Sequence, residues 1–164
     1  MSKTKTAKAV RCGACGRGVF QDTDVKGQCF PHRDEPSVTL TTTVIVPVCT
    51  ACGEMLTSGA DAAALDAALE PVYQARRAAM TAEFVQRLVS AGWYQGEIEQ
   101  AMGLSTGYLS KVLRGEKVLA GSTLRQLIHV ALHPRQALRD LTPIYPHLCE
   151  LQDRLERRGA LAAA

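Results

Sequence analysis

Aromatic residues are scarce in this chain, three Phe, four Tyr and one Trp, or 5% of its 164 residues. Its hydrophobic content of 46% is ordinary, so any core is mainly aliphatic. The C-terminal two-thirds is rich in Ala, Leu, Arg, Gln and Glu, the composition of helical proteins. No apolar run approaches the roughly 18–20 residues of a membrane span, so no membrane partner is expected. Residues 1–10 are polar and lysine-bearing with no apolar stretch. A secretory leader is therefore not expected, and a cytoplasmic location is. A dominant charge sign is also missing: 19 Lys and Arg against 16 Asp and Glu leave a net +3. No segment is a basic block, so any contact with nucleic acid has to come from individually placed residues. There is no nucleophile–base set, no phosphate loop and no His-bearing metal motif, so an enzyme is not expected. The length suits one ordinary domain or two small ones.

Against these absences stand two cysteine pairs, each followed by glycine: Cys12-Gly13-Ala14-Cys15-Gly16 and Cys49-Thr50-Ala51-Cys52-Gly53. Four thiolates in two Cys-x-x-Cys turns can surround one tetrahedral zinc ion. A glycine after the second cysteine can take a positive φ, which tightens the turn and lets backbone N–H groups face the sulfurs. In a reducing compartment such pairs favour metal over disulfides. Ordinary buried thiols and a redox pair are the competing readings, but two pairs fit redox chemistry poorly and no βαβ pattern surrounds either. We expect one structural Zn2+ per chain on Cys12, Cys15, Cys49 and Cys52, because four cysteines leave no position for water. Residues 38–48, VTLTTTVIVPV, read as a strand delivering the chain into Cys49. Cys29 and His32 form a further C-x-x-H pair without a following glycine. Cys29 is read as a small buried hydrophobe and His32 as a surface loop residue, with ligand exchange as the alternative. Cys149 is read as a packing residue in a helix.

Residues 58–80 read as a helical linker, alanine-rich and carrying a narrow stripe of Leu65, Leu69 and Val72. Pro71 is expected to start a second helix or to kink a long one. From Thr81 the pattern becomes a run of short helices: Thr81 capping 82–91, which Gly92 ends, then 95–102, then 106–113 behind the cap Ser105, then 123–132 behind Ser122. Phe84, Val85, Leu88 and Val89 are expected to face inward.

The interval Gln95–Arg114, QGEIEQAMGLSTGYLSKVLR, has apolar residues and a glycine where a helix-turn-helix needs them. Ile98, Leu104, Leu109 and Val112 face inward, and Gly103 permits a left-handed turn. A plain helical bundle is the alternative. The interval resembles the Xre/Cro-type repressor fold. That resemblance implies DNA base reading by Thr106, Gly107, Tyr108 and Lys111, and phosphate contact by Gln95, Arg114 and Lys117. Two positions depart from the pattern. Glu99 stands where a small residue is expected, and is read as leaning outward; Tyr94 stands where a Ser or Thr cap is expected.

A four-cysteine module ahead of a helix-turn-helix resembles the MqsA-type antitoxins. The likeness lies in CGAC…VCTACGEM at 12–55, AEFVQRLVSAGWYQGEIEQAMG at 82–103 and the His133-Pro134 step. It implies a homodimer that binds a palindromic operator in double-stranded DNA, represses its own operon, and binds a partner toxin through its zinc module. A stand-alone phage or chromosomal regulator with a structural zinc module is the alternative. Residues 143–164 extend past the family's usual end. Pro146 can start a helix there and Gly159 can end it, with Ile144, Leu148, Leu151 and Leu155 as its stripe. That helix either strengthens a dimer or packs on its own domain, and the last residues are expected to fray. The expected fold class is α+β: a zinc-ribbon-like β module over 1–57, a helical linker over 58–80, an all-α helix-turn-helix domain over 81–140 and a helical extension over 141–164.

Overall fold

A computed structural model describes residues 10–161, so the expected fraying of residues 162–164 lies outside the described residues. The fold is mixed α+β, with small antiparallel β pairs near the N-terminus followed by helices. The chain divides into two compact units, residues 1–73 and 74–164. Among the described residues no helix is long and apolar enough to cross a membrane.

Among the described residues four strands form the first unit's sheets: β1 (Phe20–Asp24), β2 (Cys29–His32), β3 (Glu35–Thr39) and β4 (Ile45–Cys49). β1 pairs antiparallel with β4, and the β2–β3 hairpin is nested between them in sequence. Phe20 pairs with Cys49, so the second cysteine turn follows directly from the outer pair. The expected single strand over 38–48 is in fact two. Leu40 returns to Gln28 and Gly27 through backbone hydrogen bonds at 2.9 and 2.8 Å, and Val44 accepts from the Val25 N–H at 3.0 Å. The chain crosses from the inner pair to the outer one at Thr41–Thr43, which are exposed. β-branched residues favour extended backbone but do not say which partner each stretch will find.

The helix α1 (Gly59–Ser90) is one unbroken element of 32 residues. Its first half contributes Leu65, Leu69 and Tyr73 to the core of Val25, Phe30, Val38, Leu40 and Val46. The stripe runs to buried Tyr73, with Val72 only partly buried. Pro71 does not start a second helix but lies inside this one long helix. It removes the N–H that would bond the carbonyl of Ala67, and both residues lie on the exposed side, where water can satisfy that oxygen. Thr81 is not a cap. It is 1% exposed in the helix interior, and its hydroxyl donates to the Arg77 carbonyl one turn back at 2.8 Å.

The second unit holds the rest of α1, then α2 (Gln95–Ala101), α3 (Tyr108–Leu113), α4 (Gly121–Leu132), α5 (Pro134–Leu141) and α6 (Leu148–Arg157). Gly92 ends α1 at φ 93°. Trp93 is 1% exposed beyond it and donates its indole N–H to the Ala160 carbonyl at 3.1 Å. Val85 and Leu88 are buried as expected, whereas Val89 is 43% exposed. Two expected caps are displaced. α3 begins at Tyr108 behind Gly107 (φ 79°) rather than behind Ser105, and α4 begins at Gly121 behind Ala120 rather than behind Ser122. Pro134 opens α5 at a position where its missing N–H costs nothing.

The C-terminal helix α6 packs on its own unit: Leu148, Leu151 and Leu155 are buried in the same core as Ile98, Leu109 and Leu127. Ile144 does not join that stripe and is 67% exposed. Gly159 ends the helix at φ 69°, and Ala160 and Leu161 fold back into the core.

Candidate functional site

The two cysteine turns are built alike. In each, the glycine after the second cysteine sits at positive φ, 66° at Gly16 and 75° at Gly53. Its N–H donates to the carbonyl of the first cysteine, Gly16 to Cys12 at 2.9 Å and Gly53 to Cys49 at 3.1 Å. Only a residue without a Cβ takes this left-handed position without strain. Isolated pairings of Arg11 with Val19 and of Val48 with Met55 close the two loops.

These turns bring the sulfurs of Cys12, Cys15, Cys49 and Cys52 within 4.8 Å of one another. Cys12 Sγ lies 3.7 Å from Cys52 Sγ, and Cys15 Sγ lies 3.7 Å from Cys49 Sγ. A metal–sulfur bond of about 2.3 Å gives a tetrahedron an edge of about 3.8 Å, so the four sulfurs fit the corners of a metal-thiolate site. Among the described residues no other His, Cys, Asp or Glu joins the group.

The electrostatics point the same way. Backbone N–H groups of Gly18 and Arg17 hold the Cys15 thiol down to about 6, against an ordinary 9.0. The Ala51 N–H, 3.4 Å from Cys49 Sγ, is the chief cause of that thiol's lowering. At Cys52 the Glu54 N–H pulls down. The neighbouring sulfurs, Cys49 first, together with desolvation outweigh it and push the thiol up to about 12. Four sulfurs this close cannot all be thiolates without a cation among them. A divalent metal supplies that charge and lets the last proton leave.

Gly18 belongs to this site, though nothing in the cysteine spacing marks it. A Cβ on Gly18 would lie 2.8 Å from both the backbone N and the Cβ of Ala51, and would run into Cys49 Sγ. Its carbonyl accepts from the Cys12 N–H at 3.0 Å. The sequence signal is a second glycine, three residues after Cys15, on a chain that must pass under the opposite turn.

Cys29 and His32 lie elsewhere, and their expected burial is reversed: Cys29 is exposed and His32 is 7% exposed. The His32 ring sits between two carboxylates of α1, Nε2 2.8 Å from Glu70 and Nδ1 3.5 Å from Asp66. The alternation of β2 explains the reversal, since inward Phe30 puts His32 inward and Cys29 outward. Cys149 is likewise exposed rather than packed.

In the second unit, α2 and α3 are joined through Gly103 at φ 63°. Ile98, Leu109 and Val112 are buried between them and the core. The residues expected to meet DNA are distributed unevenly. Thr106, Lys111, Arg114 and Lys117 are exposed. Thr106 and Gly107 both precede α3 instead of lying on it. Tyr108 is half-buried against the core, with Lys117 Nζ 5.0 Å from its ring centre. Arg114 is paired with Glu116 at 2.6 Å. Gln95 turns inward: its amide donates to Ser110 Oγ at 2.7 Å and to Glu99 Oε1 at 3.2 Å.

Glu99 does not lean outward. It is 3% exposed and accepts from the Gly107 N–H at 2.9 Å and the Leu109 N–H at 2.8 Å. Glu97, also buried, accepts from the Tyr94 N–H at 2.9 Å and pairs with Arg158, the residue just past the end of α6. Tyr94 offers no side-chain cap, and the Glu97 carboxylate supplies the reciprocal half of a capping box by accepting from the Tyr94 N–H. No family model and no curated protein matches the chain.

Proposed function

We propose that this chain is an antitoxin-like transcriptional repressor of the cytoplasm. In this reading its second unit binds a palindromic operator in double-stranded DNA as a homodimer, through an Xre-type helix-turn-helix made of α2 and α3. Its first unit, built around one structural Zn2+, binds a partner toxin.

One observation carries the DNA half. α3 buries Leu109 and Val112 and leaves Lys111 on the outside, with exposed Thr106 just before its start and Arg114 and Lys117 just beyond its end. This is the division a recognition helix needs, apolar residues on its partner helix and polar ones toward base edges. Lys111 can donate to guanine, while Arg114 and Lys117 lie where phosphates would pass. Gln95 is already bonded inside the protein, which moves it from the phosphate set to the support of α3.

Zinc is the ion the ligands favour. An all-sulfur tetrahedral set selects Zn2+ or iron, and of these Zn2+ has no redox chemistry to protect. Four cysteines leave no open coordination position, so the ion holds the fold and does not meet substrate. The toxin half rests on the order of the modules alone.

The test is binding to the DNA upstream of the chain's own reading frame. Affinity should fall steeply as salt rises. Lys111→Ala should cost about 1–3 kcal/mol of preference for that DNA over a scrambled duplex. Equal binding of both duplexes by the parent chain would end the reading. Co-purification with the product of the adjacent gene separates an antitoxin from a stand-alone regulator.

A further inference from the structure

We propose that Glu99 is a positioning residue for α3, and that discrimination between DNA sequences depends on it. This rests on the DNA reading above. α3 has six residues and its N-cap is a glycine with no side chain to offer. A helix that short does not hold its own start, and its first N–H groups have no partner within the helix. Glu99, on the preceding helix, supplies two of the acceptors. One oxygen takes the Gly107 N–H at 2.9 Å, and the other takes the Leu109 N–H at 2.8 Å. The N-cap of α3 and its second residue are thereby fixed to one carboxylate, which sets both its tilt and its rotation against α2. Gln95 adds a third point, bridging Glu99 to Ser110 on α3.

This arrangement has a consequence for recognition. With the Gly107 and Leu109 N–H groups taken, the start of α3 does not offer them to a DNA phosphate. Base reading then falls to side chains, and these reach the right edge only if α3 keeps its attitude. A small residue at position 99, the type the resemblance expects, would let two helices pack closely but would hold nothing. Here the carboxylate does the holding.

Glu99→Gln is the sharpest test because it keeps shape and removes one acceptor. An amide has one oxygen, so either Gly107 or Leu109 faces an NH2 group in place of an acceptor. Binding is measured to the upstream operator and to a scrambled duplex, with helicity and Trp93 fluorescence as controls for folding. The operator-to-scrambled ratio should fall about tenfold, the order expected for one buried donor left unpaired. The amide proton resonances of Gly107 and Leu109 should also shift away from the positions that a charge-assisted bond gives them. A general loss of stability would weaken both duplexes alike and leave the ratio unchanged. An unchanged ratio, or a Glu99→Ala chain that discriminates as well as the parent, overturns the proposal.

If the parent has no operator preference, the DNA reading is what fails. Unmoved Gly107 and Leu109 amides in the variant would then overturn the hold itself. Should Glu99→Gln fail to fold, Gln95→Ala removes only the bridge to Ser110. It should lower the same ratio by a smaller factor, and no change there counts against the proposal.

Discussion

The two units solve the shortage of aromatic residues in different ways. The second gathers aliphatic side chains from six helices around Trp93, with Leu88, Ile98, Leu109, Leu127, Leu138 and Leu151 almost wholly buried. The first has two sheets of two strands each and a small core, completed by Leu65, Leu69 and Tyr73 of α1. A lone two-stranded pair is marginal in water, and so little buried apolar surface leaves a module of this size near zero stability. Its four-cysteine cluster lies at the end of β4, where the two cysteine loops meet. A metal there ties together segments some forty residues apart in sequence. With a metal in that cluster, one unit rests on surface removed from water and the other on coordination, and each should answer to a different insult.

The largest effect expected is from removing the metal. Structural zinc contributes about 10–16 kcal/mol of binding energy in small modules, as much as or more than the roughly 5–15 kcal/mol by which whole domains are stable. A strong chelator, or Cys12→Ser, should therefore unfold the first unit and leave the second folded. Hydrogen exchange would show protection lost over residues 10–56 and kept over 95–161. The fluorescence of Trp93, the sole tryptophan, reports on the second unit alone. Loss of both units together would mean the division is not energetic. Acid should act in the same direction as the chelator. Cys15 is held at about 6 in the folded chain against 9.0, so its contribution is complete above pH 9 and is lost as pH falls through about 6. Cys52 opposes this only while no cation is present, since its raised value comes from crowding by the other sulfurs. Metal and first-unit structure should leave together as acid protonates the thiolates, followed by a zinc-sensitive dye.

The converse insult should spare the metal. Leu151 is fully buried in the second unit, and truncating such a leucine costs about 2–5 kcal/mol through lost transfer energy and a residual cavity. Leu151→Ala should lower the melting transition followed by Trp93 fluorescence, with zinc content unchanged. A variant that lost metal as well would join the two units in one cooperative transition.

The difference between the units also explains what could be read from the sequence. The four-cysteine cluster is legible because both its spacing and its chemistry are local, and the positive-φ glycines follow from the same turns. The run 38–48 was legible as extended backbone, but the reversal at Thr41–Thr43 is set by pairing with Gln28 and Val25, which no local pattern records. His32 could have been placed correctly, since strand alternation from Phe30 already puts it inside. Thr81 looks like a cap in isolation; the continuous packing of α1 on both of its sides makes it an interior residue. The rule that a small residue belongs at position 99 makes Glu99 look like a misfit. Its partners are backbone N–H groups eight and ten residues later, and a pattern of side-chain types does not count those. Gly18 was hidden for a similar reason, because what it avoids lies on the other cysteine turn, more than thirty residues away.

Gly18 also provides the finest cut between coordination and packing. Its φ is not in the left-handed region, so the position requires glycine for space alone. A methyl group there meets Ala51 at 2.8 Å, and the Ala51 N–H is a donor to Cys49 Sγ. Relief has to come from moving the second cysteine turn, because the backbone of Ala51 cannot swing aside as a flexible side chain would. Overpacking of this kind costs about 1–3 kcal/mol, and disturbing a group that orients a metal ligand typically costs about 10–100-fold in affinity. Gly18→Ala should therefore weaken zinc binding about tenfold in a competition titration, while the Trp93 melting transition stays where it is. Gly13→Ala is the matched control: a Cβ at Gly13 has nothing within 4 Å, and its φ is also outside the left-handed region. If both substitutions weaken the metal equally, the cause is chain stiffness in the first turn and not the approach to Cys49. If neither does, the sulfurs tolerate a displaced neighbour, and coordination alone, without close packing around it, holds the first unit.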